Sequence, residues 1–526
     1  MSLLSIEGLT VAYGGQAAVR DVSLAVAPGE IIALVGESGS GKSTVALAAM
    51  GLLPGSATTG GRITVAGQAL DRLGPRDLDR LRGRTVSMIF QEPLTALNPA
   101  MWIGAQVAEA IRLHGRVSRR EADARAGEVL ARVGLPAEVA PPSRYPHELS
   151  GGQRQRVAIA IAIAAGPDLL IADEPTTALD VTTQAHVLAL LRRLVAEDGM
   201  GLLLVSHDLA VVAGMADRIL VMKDGALVEE GPAAGLLADP RQPYTRTLVA
   251  SARHRPARAA PPENAPLLEV CGVSRRHGAL LAVDDASFTV GRGETVGLVG
   301  ESGSGKTTLL RTILALDPPQ AGDVLLGGES IVQARGAALR HLRRNVQAVF
   351  QDPGGSLDPR HRVERIVAEP LHLLDQRIDP AERRRRVEQA LGQVGLSGAD
   401  ADRFPHQFSG GQRQRIAIAR ALIVEPALVV LDEAVSALDV SVRAGILDLL
   451  ADLSVRLGLS YLFVSHDLAM MRHVADRLVV LRKGRIVDQG RTADILARPA
   501  HAYTAELLAA TPDLDAALAR RAAAQA

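Results

Sequence analysis

The chain has 526 residues, 47% of them hydrophobic and 22% charged, which suits two to four globular domains at roughly 150 residues each and excludes a disordered or collagen-like protein. Its 58 basic and 58 acidic side chains cancel, so no global field draws it to nucleic acid or an anionic membrane surface, and polyanion binding has to be local. One cysteine, Cys271, excludes an intrachain disulfide framework and any four-cysteine metal or iron–sulfur site within a single copy.

In chain order, the opening MSLLSIEGLTVAY has neither the basic start nor the long apolar run of a secretory signal, so export is not expected. IIALVG (31–36) is a continuous apolar run that predicts a buried strand leading into a glycine loop. Between Phe90 and Ser150 the pattern turns helical. EADARAGEVLARVGL there carries its apolar residues on one face and reads as a helical subdomain inserted in an α/β core. The most apolar stretch, Val157 to Ala165, is far short of the roughly 20 residues needed to cross a bilayer. LLIAD (169–173) and GLLLVSHD (201–208) predict further buried strands. SARHRPARAAPPENAP (251–266) has no apolar period and predicts a stiff, extended linker. TVGLVG, LVVLD and SYLFVSHD then repeat the earlier strands.

The repetition is exact in order. GESGSGKS at 36–43 returns as GESGSGKT at 300–307, SGGQRQR at 150–156 returns at 409–415, and VSHDLA at 205–210 returns at 464–469. The chain therefore divides into a first domain with its tail at 1–250, the linker at 251–266, and a second domain with its tail at 267–526. Each is expected to be an α/β domain with a largely parallel core sheet.

Both glycine loops have the pattern G-x-x-x-x-G-K-[ST] between a buried strand and a helix, where backbone N–H groups can close around phosphates. The first cup is Gly36, Ser38, Gly39, Ser40, Gly41, Lys42, Ser43 and Thr44; the second is Gly300, Ser302, Gly303, Ser304, Gly305, Lys306, Thr307 and Thr308. Lys42 and Lys306 are placed to reach the β- and γ-phosphates of a nucleotide, and the hydroxyls of Ser43 and Thr307 to ligate Mg²⁺, a pattern that by itself leaves kinases, GTPases and helicases open. The chain has only four lysines (42, 223, 306 and 483) beside 54 arginines (58 − 4), and two of the four stand in these loops. A compact ammonium is kept where a broad guanidinium would not substitute.

LSGGQ (149–153) and FSGGQ (408–412), each upstream of a strand ending in Asp-Glu and followed by a His after the next strand, resemble the ABC ATPase family over nearly the whole chain. The resemblance implies two tandem phosphate-loop NTPase domains, each with an inserted helical subdomain. It also implies two composite sites, in which ATP on one loop is completed by the opposite half's Ser150, Gly151, Gly152 and Gln153, or Ser409, Gly410, Gly411 and Gln412. On the same basis Asp173 and Asp432 hold Mg²⁺ through its water shell, and Glu174 and Glu433 polarise the attacking water. His207 and His466 contact the γ-phosphate. Gln91 and Gln351 touch Mg²⁺ and water, Asp180 and Asp439 bridge the sites, and Tyr13 stacks on adenine. The counterpart of Tyr13 is His277, a smaller π-face.

YPHELSGGQRQR, FQEPLTALNP, ADEPTTALDVT, their second-half counterparts, and the tails RQPYTRTLVAS and HAYTAELLAATP resemble the peptide, nickel and opine uptake branch with two fused ATPase subunits. Such importers imply two integral membrane permeases, a solute-binding protein, and a peripheral position on the cytoplasmic face of a prokaryotic inner membrane. No nucleic acid partner and no iron–sulfur cluster are expected. The competing class is a tandem ABC protein without transport, such as a ribosome-associated translation factor or a DNA-repair ATPase. Those carry a long charged helical linker or cysteine zinc modules, and this chain has a short Pro-rich join and one cysteine. An exporter ATPase is a third reading, which fits the tails and the unlike halves less well.

Overall fold

The computed structural model describes all residues except 1, 93–95, 178, 257–264, 352, 377, 436–437 and 526, and leaves aside the side chains of 353, 354, 524 and 525. The central part of the predicted linker thus lies outside the described residues. The chain forms two compact units: residues 1–179, 183–253 and 512–526 make the first, and 180–182 with 254–511 the second.

Among the described residues each unit holds two sheets. In the first, an antiparallel sheet orders Gln16–Val26, Leu4–Tyr13, Ala57–Val65 and Gln68–Ala69. The larger sheet orders Ala226–Pro232, Arg218–Lys223, Ile31–Val35, Gly201–Ser206, Leu169–Asp173 and Val86–Ile89. All its pairings are parallel except the edge hairpin of Arg218–Lys223 with Ala226–Pro232. Ile31–Val35 and Leu169–Asp173 are buried at every position, as parallel strands covered on both faces must be. The second unit repeats the plan, with Val346–Val349, Leu428–Asp432, Ser460–Ser465, Thr295–Val299, Arg477–Arg482 and Arg485–Arg491 in that order.

The inserted helical region is present in both units. In the first it contains Ile103–His114 and Arg119–Arg132, the latter capped by Ser118, whose hydroxyl accepts the Glu121 N–H. The second unit has a short helix Val363–Val367 and a 3₁₀ segment Glu369–Leu373 where the first has twelve helical residues. Pro370 accounts for the break, since it offers no N–H and its ring clashes with the preceding turn.

The tails also differ from the sequence division. Helix Pro243–Ala252 runs past residue 250, and strand Pro266–His277 begins inside the expected linker. The last helix, Leu514–Gln525, follows the second domain in sequence but belongs to the first unit. There Leu514 and Ala517 join the core with Leu209, Val212 and Ala213, and Arg253 binds Asp515 at 2.9 Å.

Candidate active sites

The sheet's register collects the chemistry. Val35 pairs with Ser206, Asp173 with Val205, and Ile89 with Ala172. The phosphate loop, His207, Asp173-Glu174 and Gln91 therefore leave the carboxyl ends of four neighbouring parallel strands, where open α/β sheets bind ligands. In the second unit Val299 pairs with Ser465, Asp432 with Val464, and Val349 with Leu431.

Each phosphate loop ends in a left-handed glycine that starts a helix: Gly41 at φ 98° before Lys42–Ala49, and Gly305 at φ 108° before Lys306–Ile313. A Cβ at Gly41 would stand 2.6 Å from the Ala18 carbonyl oxygen, and one at Gly305 would meet that of Ala282, so only glycine fits. Lys42 is 5% exposed. Its Nζ donates to the carbonyls of Gly36 and Glu37, both at 2.8 Å, and to Ser40 Oγ at 3.4 Å. Lys306 donates to Gly300 O at 2.7 Å and Glu301 O at 2.8 Å. Burial lowers the Lys306 pKa, against the carboxylates of Glu433 and Asp432. A buried ammonium held on the loop's own carbonyls is a ready partner for phosphate charge.

Ser43 Oγ donates to Asp173 Oδ1 at 3.2 Å, a hydroxyl–carboxylate pair of the hard-oxygen kind that Mg²⁺ takes. Burial raises the pKa of Asp173, as it does that of Asp432, where the neighbouring Glu433 adds to it. A buried carboxylate pushed toward its neutral form gains most from a nearby cation.

Glu174 is the hub of the first site. Its Oε1 lies 3.1 Å from His207 Nδ1, and its Oε2 accepts from Gln91 Nε2 at 3.0 Å and Thr177 Oγ1 at 2.9 Å. In the second site Glu433 Oε1 lies 3.0 Å from His466 Nδ1, and its Oε2 accepts from Gln351 Nε2 at 2.8 Å. Burial pushes both carboxyl pKa values up, but the histidine hydrogen bond and charge outweigh it, and both end below the ordinary glutamate value. Each histidine is set by its turn: the Asp208 N–H donates to Ser206 Oγ and the Asp467 N–H to Ser465 Oγ, both at 3.0 Å.

The structure thus brings Lys42, Ser43, Gln91, Asp173, Glu174 and His207 into one linked group, and Lys306, Gln351, Asp432, Glu433 and His466 into another. Ser150 and Ser409 are engaged as helix caps: each hydroxyl accepts the Gln153 or Gln412 N–H at 3.3 Å, and each glutamine returns the bond at 3.0 Å. Tyr13 packs half-buried beside the first unit's core. His277 Nε2 lies 3.5 Å from Thr308 Oγ1, next to the phosphate-loop helix. Thr182 Oγ1 donates to Asp180 at 2.7 Å, and Asp439 precedes helix Val440–Leu457. Thr177 was not expected; its place three residues after Glu174 is the sequence signal that could have found it.

A glycine cup with a buried lysine, a hydroxyl–aspartate pair and a glutamate held by histidine and glutamine define a phosphate-loop nucleoside-triphosphate hydrolase, built twice. The pattern described as ABC transporter matches residues 19–177 and 283–436, and the chain belongs to that family of ATP-binding, ATP-hydrolysing cassettes. The oligopeptide/dipeptide transporter C-terminal region matches 228–269 and 487–526. Similar proteins include a glutathione import ATP-binding protein, GsiA, of Salmonella choleraesuis, 43% identical over 98% of this chain and 90% of its own. A peptidoglycan transport ATP-binding protein, YejF, of Agrobacterium fabrum is 45% identical over 98% of this chain and 97% of its own. An oligopeptide transport ATP-binding protein, OppD, of Mycobacterium bovis is 41% identical over 95% of this chain and 96% of its own.

Proposed function

We propose that this chain is the motor subunit of a membrane importer for di- or oligopeptides or related solutes, with ATP hydrolysed at both phosphate loops. The observation that carries the reading is the tail: each cassette is followed by a segment of the oligopeptide/dipeptide transporter C-terminal type. Neither site lacks its glutamate, histidine, glutamine or lysine.

In each site the ammonium of Lys42 or Lys306 and the loop N–H groups hold the triphosphate. Glu174 or Glu433, ionised at neutral pH, accepts the proton of the attacking water. His207 or His466 and Gln91 or Gln351 orient that carboxylate. Ser43, Gln91 and Asp173, and Thr307, Gln351 and Asp432, are the residues that would hold Mg²⁺, whose charge offsets that of the phosphates.

Among the described residues no helix is long and apolar enough to cross a membrane, so the pore falls to two permease subunits, with a solute-binding protein delivering cargo to them. The permeases are expected to dock beside Gln91 and Gln351, where the adjacent Phe90 and Phe350 are 41% and 40% exposed. In this reading the chain works at the inner face of a prokaryotic membrane. Glutathione, peptide antibiotics, nickel chelates and opines are the alternative cargoes. Reconstitution with permeases and binding protein in liposomes, screened for solutes that stimulate hydrolysis, tests the reading. Peptide-stimulated hydrolysis with uptake is expected; hydrolysis that no solute stimulates, without uptake, would contradict it.

A further inference from the structure

The tail behind each cassette returns to that cassette's own phosphate loop. In the first unit Tyr244, on helix Pro243–Ala252, accepts the backbone N–H of Glu37 at its Oη, 3.2 Å away. In the second, Tyr503 on helix Ala502–Ala510 accepts the N–H of Glu301 at 2.9 Å. A cation faces each ring: Lys223 Nζ lies 5.0 Å from the Tyr244 centroid, and the Arg482 guanidinium carbon 4.7 Å from that of Tyr503. The contact therefore occurs twice, in different helices with different cations.

The N–H of Glu37 and the carbonyl of Gly36 belong to one planar peptide group. That carbonyl accepts Lys42 Nζ at 2.8 Å, as the Gly300 carbonyl accepts Lys306 Nζ at 2.7 Å. A single rigid plane is thus held on its N–H side by the tail and on its oxygen side by the phosphate-binding ammonium, and each hydrogen bond polarises the other. Burial pushes the Tyr503 hydroxyl pKa up to about 12, so the phenol stays neutral near neutral pH.

We propose that Tyr244 and Tyr503 are positioning residues for the phosphate-loop lysines, through which the C-terminal tails set the affinity for the ATP phosphates. Tyr503 is 2% exposed while Tyr244 is half-buried. Water can replace a lost hydroxyl beside Glu37 more readily than beside Glu301, so the second site depends more on its tyrosine.

The test uses the full chain with the tyrosine-to-phenylalanine variants Y244F, Y503F and their double, which keep the ring and its cation contact. Steady-state ATP hydrolysis and thermal unfolding are measured for each. The double variant is expected to raise KM for ATP roughly five-fold, the size of one net hydrogen bond, with kcat within about two-fold and an unchanged unfolding midpoint. Y503F should exceed Y244F. A wild-type KM in the double variant overturns the proposal, as does a fall in midpoint and kcat at constant KM, the mark of a packing role. Should Y503F fold poorly, Y244F is read by the same split. Absence of hydrolysis by the wild-type chain would overturn the ATPase reading on which the proposal rests, a result distinct from unchanged KM.

Discussion

Glu174 and Glu433 both hold a left-handed backbone conformation, at φ 47°, which costs a non-glycine residue about 1–3 kcal/mol. The parallel sheet enforces it: the Glu174 N–H donates to Val205 O at 3.0 Å and the Glu433 N–H to Val464 O at 2.9 Å. The strain aims each carboxylate at its histidine. Relief should therefore stabilise at the expense of chemistry, and E433G is expected to resist urea better than E433Q by about 1 kcal/mol. Equal stability of the two variants would show that the backbone stores nothing there.

The His466–Glu433 pair titrates with a sign that can be worked out. Burial lowers the His466 pKa, but the Glu433 hydrogen bond and charge, with Asp467, raise it further than burial and Lys306 lower it. A raised folded pKa contributes stability fully present below the free imidazole value of about 6.5, lost as pH rises through the folded value. Glu433 is depressed, so its contribution is present above the free carboxylate value and lost as pH falls through the folded one. The difference in unfolding midpoint between wild type and H466Q should accordingly be largest near pH 6 and shrink toward pH 9. A difference that grows with pH would reverse the assignment.

At the scale of elements, the core strands were legible because IIALV and LLIAD are apolar at nearly every position, the first running into Gly36 and the second ending in Asp173. The helical insert was legible from its period, and its break at Pro370 follows from a residue visible in the sequence. The destination of helix Leu514–Gln525 was not legible. Its apolar residues say that one face is covered, but not by which core, and the structure assigns Leu514 and Ala517 to the first unit's. L514D is expected to destabilise the first unit by roughly 2 kcal/mol, measured by chemical denaturation with a reporter in each unit. Loss confined to the second unit would contradict the packing. The capping boxes at Ser150 and Ser409 carry their own expectation. S150A should cost about 1 kcal/mol, read in the same denaturation experiment, and an unchanged midpoint would show that the cap is dispensable.

For the molecule as a whole, duplication is the dominant fact. The lysine, glutamine, glutamate and histidine of each site were readable because the same ordered set occurs twice, which no single Asp-Glu or lone His could establish. Tyr13 against His277 was visible in the sequence, whereas duplication concealed the short helix Val363–Val367 against Ile103–His114 and the destination of the last helix, Leu514–Gln525. The tail tyrosines escaped because a Pro-Tyr-Thr or Ala-Tyr-Thr triplet carries no chemical signature until the sheet brings the tail beside the loop. In the mechanism proposed above, Glu174 and Glu433 carry ATP hydrolysis. Hydrolysis and retained nucleotide in the double variant E174Q/E433Q of the full chain test it most directly. Turnover should fall at least a hundred-fold with ATP still bound, whereas hydrolysis at the wild-type rate would contradict the mechanism.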